Sequence, residues 1–547
     1  MTHSNTSTPN NSTSILSPAL TSNSEITVLP ARRGSTVLCR GKALLSRIDP
    51  VTQAERIAEA QDVKPLTLYL VPRPLFGYGL AAFLQKLPQS SRILALETDE
   101  ALFEWTRRNI EHTLFAGGRF SLMFAPSPGM FLLGAGNLFL WRDFRRVELF
   151  ANSGAWQYDA PAFDALLDAA QTELAQGWSN AMTLTRLGRL FARNAFHNLP
   201  LLAHCPSADR LNFGADSTLV AGAGPSLEEA ARELSSTGRY RGERWRIVAV
   251  DTALPALFAW GIKPDLVVAL ESQHWNAGDF TGLYGQNIPL AMDFSALPLT
   301  ARVFAGAPYL FWTEWTPLRF FDRLNAAGLL PLPLPALGSV GLSAYALACR
   351  LTTGRVAAAG LDFAFTADLY HCRASPSHRR LLRENSRFHS MYPLASVYRE
   401  GSFSLAGRPD ETIMLLKDSS WRSDPSLARY RTLFAGLRGR NLETTGFLSK
   451  TKRRSSPAEP DWNAFAGAEQ ERLEKLLDIL AASGNLSSLD SLLDECDYLW
   501  AHFPECAGKN GWRPPISNTG FLKRVRAEIE PFLRILRNAP PLIVNKW

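Results

Sequence analysis

Cysteine is scarce in this sequence and long apolar runs are missing. The six cysteines among 547 residues form no Cys-x-x-Cys pair, which argues against a disulfide framework and indicates reduced thiols in a cytoplasmic protein. The longest apolar stretch, residues 334–348, is interrupted by Pro335, Gly338 and Gly341, so we expect no membrane-spanning helix. Residues 1–28 are rich in Ser, Thr and Asn and lack the basic and apolar regions of a secretory signal; they are predicted to be a disordered tail.

The sequence also lacks a strong charge bias. Its 58 basic and 51 acidic residues leave a net charge of +7, a mild excess that suits an anionic small molecule. Because neither an arginine-rich run nor zinc-ligand spacing is present, we expect no nucleic-acid partner. A hydrophobic content of 46% with 20% charged residues is typical of a globular protein that buries large sheets.

Length and local patterning divide the chain into several parts. Apolar strand-like runs alternate with helical segments between residues 216 and 450, which predicts a Rossmann-like, mostly parallel central sheet in an α/β fold. A smaller α/β domain precedes it and apolar stripes at helical spacing follow it. The predicted boundaries are 1–28 (tail), 29–150 (N-terminal α/β domain), 151–215 (helical connector), 216–450 (central domain) and 451–547 (helical C-terminal domain).

The N-terminal domain contains a strand–helix–strand pattern that ends in Glu97. An acid at this position binds a ribose in many cofactor-binding folds. Pro72 and Pro74, however, occupy the loop where a ligand would lie. We therefore favour a structural domain over a retained cofactor site.

A glycine turn opens the central domain after its first predicted strand. Gly222 and Gly224 allow main-chain amides to approach an anion, and Pro225 suits the first turn of the helix that includes Leu227. Ser226 adds a hydroxyl donor at the positive end of that helix. The pattern predicts a nucleotide or phosphate site, and a tight turn without a ligand remains the alternative.

Acidic side chains follow four of the predicted central strands: Asp251, Glu271, Asp293 and Asp362. Single acids at strand ends often cap the next helix. Four in one parallel sheet are expected to converge on one crevice beside the glycine turn.

Two further groups could contribute to this crevice. Ser339 and Ser343 belong to a second glycine-bearing helix start, which could hold a phosphate or a sugar carboxylate. His371 precedes a basic loop over residues 373–389 that could clamp an anionic substrate, or could simply be a solvated face. His371 is the best predicted acid–base group, with a packing role as the alternative.

Together these motifs resemble the motility-associated factor family of flagellin glycosyltransferases, whose central domain is of the pterin-pyrophosphokinase-like type. The central domain is also similar to a group of bacterial sialyltransferases. The resemblance spans roughly residues 35–450. The segments that carry it are 46–50, 76–79, 193–200, 222–227, 251–254, 261–265, 338–340 and 360–364, with His371.

The resemblance implies transfer of a nonulosonic, sialic-acid-like sugar from a CMP-activated donor to Ser or Thr hydroxyls of flagellin. Residues 222–227 would then hold the nucleotide phosphate or ribose, and Asp251 and Glu271 would face the nucleoside. Ser339 and Ser343 would reach the sugar or phosphate, while Asp362 and His371 would lie beside the reacting carbon. No cofactor and no metal are expected, because a monophosphate leaving group needs little charge neutralisation.

Two other functions remain open at this stage. A pterin pyrophosphokinase would use ATP and magnesium, and Asp251 with Glu271 could supply the carboxylates that hold the metal. A non-catalytic adaptor would bind flagellin through the helical connector and the C-terminal region.

Overall fold

The computed structural model describes residues 26–366, 369–388, 403–404, 421–438, 461–482, 486–509 and 511–538. The chain divides into two compact units, Met1–Ala181 and Met182–Trp547, and the boundary falls within a long helix. Of the predicted tail, residues 1–25 lie outside the described residues, whereas a strand already begins at Ile26. No helix in the described part of the chain combines the length and the hydropathy that a membrane span requires.

The first unit contains a small antiparallel sheet and a four-stranded parallel sheet of order β6-β5-β4-β7. The predicted strand–helix–strand pattern is confirmed. The strands are β1 (Ile26–Pro30), β2 (Ser35–Cys39), β3 (Lys42–Ala43), β4 (Thr67–Pro72), β5 (Arg92–Glu97), β6 (Phe120–Phe124) and β7 (Arg146–Leu149). The helices are α1 (Pro50–Ala60), α2 (Leu80–Lys86), α3 (Glu100–Asn109), α4 (Pro128–Leu138) and α5 (Ala160–Asn198), the last of which continues into the second unit.

Glu97, at the end of β5, is fully buried and paired with Arg73. The guanidinium Nη2 and Nε of Arg73 lie 3.0 and 3.2 Å from Glu97 Oε1. The amides of Thr98 and Asp99 donate to the same oxygen. Burial raises the pKa of Glu97 despite these partners. The acid that would bind a ribose in a cofactor-binding fold is therefore occupied by a cation of its own domain, in agreement with the expected structural role.

The second unit is built on a seven-stranded sheet of order β13-β12-β11-β10-β9-β8-β14, and every described strand pair in it is parallel. The predicted Rossmann-like central sheet is thus confirmed. Its strands are β8 (Thr218–Ala221), β9 (Arg246–Val250), β10 (Leu266–Ala269), β11 (Leu290–Asp293), β12 (Tyr309–Thr313), β13 (Leu332–Leu334) and β14 (Val356–Ala359). Sequence analysis missed β13, which is only three residues long and contains Pro333. Proline is tolerated there because β13 lies at the sheet edge.

Helices cover both faces of this sheet. Neighbouring residues of β10 point to opposite faces: Val268 packs in a core with α6 and α9, and Val267 packs in another with the C-terminal helices. The helices are α6 (Leu227–Thr237), α7 (Leu254–Ala259), α8 (Arg319–Ala326), α9 (Val340–Leu351), α10 (Pro376–Glu384), α11 (Pro425–Arg438), α12 (Trp462–Ala482), α13 (Leu486–Glu495) and α14 (Thr519–Arg537). A small antiparallel sheet is formed by β15 (Phe365–Thr366), β16 (Phe403–Ser404) and β17 (Trp421–Ser423).

The C-terminal helices do not pack only against one another. Leu473 and Leu476 of α12 and Ile529 of α14 share one core with Val267 and Leu290 of the sheet. The apolar stripes that suggested a separate helical bundle therefore cover one face of the central sheet, because parallel sheets bury both faces.

Arg73→Met is expected to destabilise the first unit by about 3–5 kcal/mol, because it leaves the Glu97 carboxylate buried without its partner. Urea denaturation of the full chain measures this loss. The double variant Arg73→Met/Glu97→Leu removes both charges and should recover most of the stability. Equal losses in the single and double variants would contradict a buried ion pair as the cause.

Candidate functional site

The first and last strands of the central sheet along the chain, β8 and β14, lie side by side. The strands that follow β8 extend from its other edge, so the strand order reverses at β8. Ligands of such sheets bind at the carboxyl ends of the strands near this reversal. The loops that leave β8 and β14 carry the predicted glycine turn and Asp362.

Asp362 is bonded to the glycine turn. The Ser226 amide donates to Asp362 Oδ2 over 2.9 Å, and the Ser226 hydroxyl donates to Oδ1. The Gly360 amide donates to Ser226 Oγ over 3.0 Å, and the Gly224 amide donates to the Gly360 carbonyl over 2.8 Å. The carboxylate therefore lies at the N-terminus of α6, where the sequence predicted a phosphate. Burial raises the pKa of Asp362 to about 6.

The two glycines of the turn are required by this contact between loops. A Cβ on Gly224 would overlap the Asp362 carboxylate and the Gly360 carbonyl, and a Cβ on Gly222 would overlap Gly360 and Leu361. Pro225 and Leu227 are buried. Because the amides of Gly222, Gly224 and Ser226 already donate within the protein, phosphate binding by this turn stays a prediction.

A second group of side chains lies at the ends of β9 and β10. Asp251 is buried, and its Oδ2 accepts a 3.0 Å hydrogen bond from Asn276 Nδ2. The Thr252 amide donates to Asp251 Oδ1 over 2.8 Å, and the Thr252 hydroxyl lies 3.3 Å from Asp279 Oδ2. Glu271 is exposed, and its Oε1 accepts a hydrogen bond from the Gln273 amide. The structure thus brings the predicted Asp251 and Glu271 together and adds Asp279 and Asn276.

Burial, together with neighbouring negative charge, disfavours the ionised forms of Asp251 and Asp279. Burial, followed by the charge of Asp279, raises the pKa of Asp251 to about 7. Burial and the charge of Glu271 raise the pKa of Asp279 to about 6. Asn276 Oδ1 is buried and has no hydrogen-bond partner. These features suit a ligand that donates hydrogen bonds to oxygen atoms.

Sequence analysis missed Asp279 and Asn276 because both belong to a short 3₁₀ segment, His274–Phe280, rather than to a strand end. The signal that could have found them is their position within ten residues of Glu271. Among the described residues, no grouping of three or more His, Cys, Asp or Glu side chains is arranged to hold a metal ion.

Asp293, the remaining predicted strand-end acid, has a structural role. Its Oδ1 accepts from the amide and hydroxyl of Ser295, and its Oδ2 accepts from the amide and hydroxyl of Thr313 over 2.6 and 2.8 Å. The carboxylate therefore ties the end of β11 to the neighbouring strand β12. These four hydrogen bonds give Asp293 a structural role, and the convergence of all four acids on one crevice stays a prediction.

The start of α9 is the third group. Ser339 precedes the helix and makes no side-chain capping bond, and Ser343 is fully buried with an unpartnered hydroxyl. A Cβ on Gly341 would overlap Leu361, which places this helix start beside the β14 loop. A Cβ on Gly338 would lie 3.2 Å from the Tyr430 hydroxyl. Tyr430 is a polar neighbour that sequence analysis did not identify.

His371 precedes two residues that are hydrogen-bonded to the glycine turn and to the helix that follows it. The Cys372 amide donates to the Ala223 carbonyl over 2.8 Å, and the Arg373 amide donates to Glu228 over 2.9 Å. His371 Nδ1 lies 2.8 Å from Ser377 Oγ, and burial lowers the pKa of the imidazole to about 4. Within the described residues no hydrogen bond joins it to Asp362. Residue 389, the last of the predicted basic loop, lies outside the described residues.

Gly224→Ala is expected to lower the stability of the second unit by about 1–3 kcal/mol, because the added Cβ must displace the Asp362 carboxylate and the Gly360 backbone. Thermal denaturation measures the change. Gly278→Ala is the matched control, since a Cβ there meets no atom within 4 Å. Equal stability of the two variants would argue against the close approach of the β8 and β14 loops.

Three comparisons with known proteins bear on these features. Residues 193–368 match the family described as "6-hydroxymethylpterin diphosphokinase MptE-like". A Treponema pallidum (strain Nichols) protein described as "Uncharacterized protein" is 30% identical over 565 residues, which cover 94% of this chain and 95% of that protein. The solved structure described as "Structure of MAf glycosyltransferase from Magnetospirillum magneticum AMB-1" aligns over 94% of this chain and 92% of its own, with a TM-score of 0.46 and 13% identity.

The match over residues 193–368 confirms the prediction of a pterin-pyrophosphokinase-like central region. It begins on α5 and includes the glycine turn, the carboxylates at β9 and β10, and the start of α9. The Treponema pallidum protein is similar over nearly the whole length of both chains. The chain therefore belongs to the same family as this Treponema pallidum protein.

Proposed function

We propose that the chain is a cytoplasmic glycosyltransferase that transfers a nonulosonic sugar from a CMP-activated donor to Ser or Thr hydroxyls of flagellin. The observation that carries the proposal is a group of polar side chains at the carboxyl ends of the central strands. Two of their atoms, Asn276 Oδ1 and Ser343 Oγ, are buried without a hydrogen-bond partner. Asp251, Asp279 and Asn276 Oδ1 offer acceptors, and the start of α9 offers donors. A nucleotide carries both complementary parts: hydroxyls and an amine that donate, and a phosphate that accepts.

The donor nucleoside faces Asp251 and Glu271, with Asn276 beside them. The phosphate binds at the start of α9, where Ser339 and the Ser343 hydroxyl lie near the positive end of the helix dipole. The start of α6 is the weaker choice, because the Asp362 carboxylate already accepts from Ser226 there. In this assignment Ser339 and Ser343 bind the phosphate, as the sequence predicted. Residues 222–227 instead position Asp362 through the hydrogen bonds of Ser226.

The transfer step needs one base. The bond between the anomeric carbon and the CMP oxygen breaks, a bond to the acceptor hydroxyl oxygen forms, and the hydroxyl proton passes to the base. Asp362 and His371 are the two candidates. At neutral pH the imidazole of His371 is unprotonated because its pKa lies near 4, whereas the pKa of Asp362 near 6 is closer to the working pH and suits a general base better. CMP departs as a phosphate monoester, so the step requires no metal.

CMP affinity is expected to rise with pH across the range from about 6 to 7. The ligand's donors favour the ionised carboxylates, so binding lowers the raised pKa values of Asp251 and Asp279 and releases protons. Calorimetry in buffers of different ionisation enthalpy measures both effects. Asp251→Asn should weaken binding about 10-fold or more and remove the pH dependence near pH 7, leaving only the part near pH 6 that Asp279 contributes.

Asp216→Asn is the matched control for that experiment, because it removes an exposed carboxylate at the amino end of the sheet. It should leave CMP affinity unchanged. A CMP affinity independent of pH between 5 and 8 would count against the assigned nucleoside position.

The second candidate function is a pterin diphosphokinase, which the family match over residues 193–368 favours. Such an enzyme would bind ATP with Mg²⁺ rather than CMP. The same calorimetric experiment separates the two: binding of ATP only in the presence of Mg²⁺, with no binding of CMP, would replace the glycosyltransferase proposal.

Incubation of the protein with flagellin and a CMP-activated nonulosonic acid tests the transfer itself, with activity expected in excess chelator. If His371 is the base, His371→Ala lowers kcat about 10²–10⁴-fold and leaves CMP affinity intact. The acid limb of kcat then falls near pH 4. An acid limb near pH 6 with full activity of His371→Ala assigns the base to Asp362 instead.

A further inference from the structure

Two buried asparagines, Asn194 and Asn198, lie one turn apart near the C-terminal end of α5. They are 4% and 1% exposed, although carboxamides usually lie at the surface. Each uses its Nδ2 atom to bond two backbone carbonyls outside the helix. A buried carboxamide that donates to two carbonyls in this way ties the helix to the segments that carry those carbonyls.

The acceptors lie in the loops at the carboxyl ends of β10 and β11. Asn194 Nδ2 donates to the Ser272 carbonyl over 3.0 Å and to the Ser295 carbonyl over 3.1 Å. Asn198 Nδ2 donates to the carbonyls of Phe294 and Ala296 over 2.9 and 3.0 Å. Of the two asparagines, only Asn194 bonds the β10 loop directly, and Asn198 bonds the β11 loop alone. The Leu297 amide also donates to the Glu271 carbonyl over 3.0 Å, and this backbone bond between the two loops involves neither asparagine.

Ser272 lies between Glu271 and the segment that carries Asn276 and Asp279. A shift of its carbonyl would move these side chains relative to Asp251, which belongs to the neighbouring strand end. The β11 loop carries no such group, because Asp293 is fully bonded within the protein.

The helix that carries Asn194 is itself braced. Arg189 and Arg193, on α5, both pair with the buried Glu528 of α14. Phe196 packs against Tyr498 and Phe532, with ring centroids 4.8 and 4.7 Å apart. These contacts hold the α5 backbone against the C-terminal helices. The position of the Asn194 carboxamide, and with it that of the β10 loop, is therefore fixed.

We propose that Asn194 is a positioning residue that aligns the β10 loop with Asp251 for nucleoside binding. The identity of the ligand, CMP, rests on the proposed function, whereas the alignment of the loop by Asn194 does not. Asn194 touches no substrate. It acts through the Ser272 carbonyl, and the two hydrogen bonds replace water in a place where an unpaired carbonyl would be costly.

The experiment compares Asn194→Leu with Asn198→Leu, which remove the same two donors from neighbouring turns and keep the side-chain volume close. Hydrogen exchange of peptides covering His274–Phe280 and residues 294–297 is measured in the full chain, together with CMP affinity. Asn194→Leu should speed exchange in His274–Phe280 and weaken CMP binding, each about 10-fold. Asn198→Leu should speed exchange only in residues 294–297 and leave CMP affinity within twofold of the parent.

Equal effects of both variants on His274–Phe280, or unchanged exchange there in Asn194→Leu, would overturn the positioning role. Should Asn194→Leu not fold, Asn194→Ser, which keeps one donor with a shorter reach, is judged by the same criteria. If the parent protein binds no CMP, the proposed function fails, while the exchange comparison still decides the positioning role of Asn194.

Discussion

The bonding of Asp362 to Ser226 is the constraint on which the central unit depends. It joins the first and last strands of the sheet, and it does so where the strand order reverses. Two glycines are needed so that the loops can approach closely enough for these bonds. A buried carboxylate with a raised pKa at a helix N-terminus is stabilised by the amide, the hydroxyl and the helix dipole together.

This internal carboxylate changes where a ligand can bind. The N-terminus of α6 already binds the Asp362 carboxylate. A phosphate placed there would be repelled by that carboxylate in a site of low dielectric. The start of α9 has the same favourable dipole without a side-chain cap, and it lies beside Leu361 in the same loop. In the proposed site, acceptors at β9 and β10 and donors at α9 would form two regions of opposite polarity.

The helices outside the sheet contribute to this arrangement. One sheet face packs against α12 and α14, and the C-terminal part of α5 belongs to the same core. Asn194, Asn198 and the Arg193–Glu528 pair then connect loop, helix and C-terminal region. Because a parallel sheet must bury both faces, helices distant in sequence support the loops at its strand ends.

The sequence by itself determined the elements whose cause is local. The strands β4, β8 and β9 and the helix α2 follow from apolar runs, glycine turns and helix periodicity. The placement of Asp251 and Glu271 at neighbouring strand ends follows from the rule for parallel strands. Only the tertiary structure decided which polar groups are hydrogen-bonded within the protein. Asp293 and Asp362 look alike in sequence, yet one ties two strands together and the other joins two loops at the reversal of the sheet. Sequence analysis missed Asn276 and Asp279 because they lie in a 3₁₀ segment away from the strand ends. It missed Tyr430 and Asn194 because their contacts are with residues distant in sequence, and such contacts leave no periodic signal in the chain.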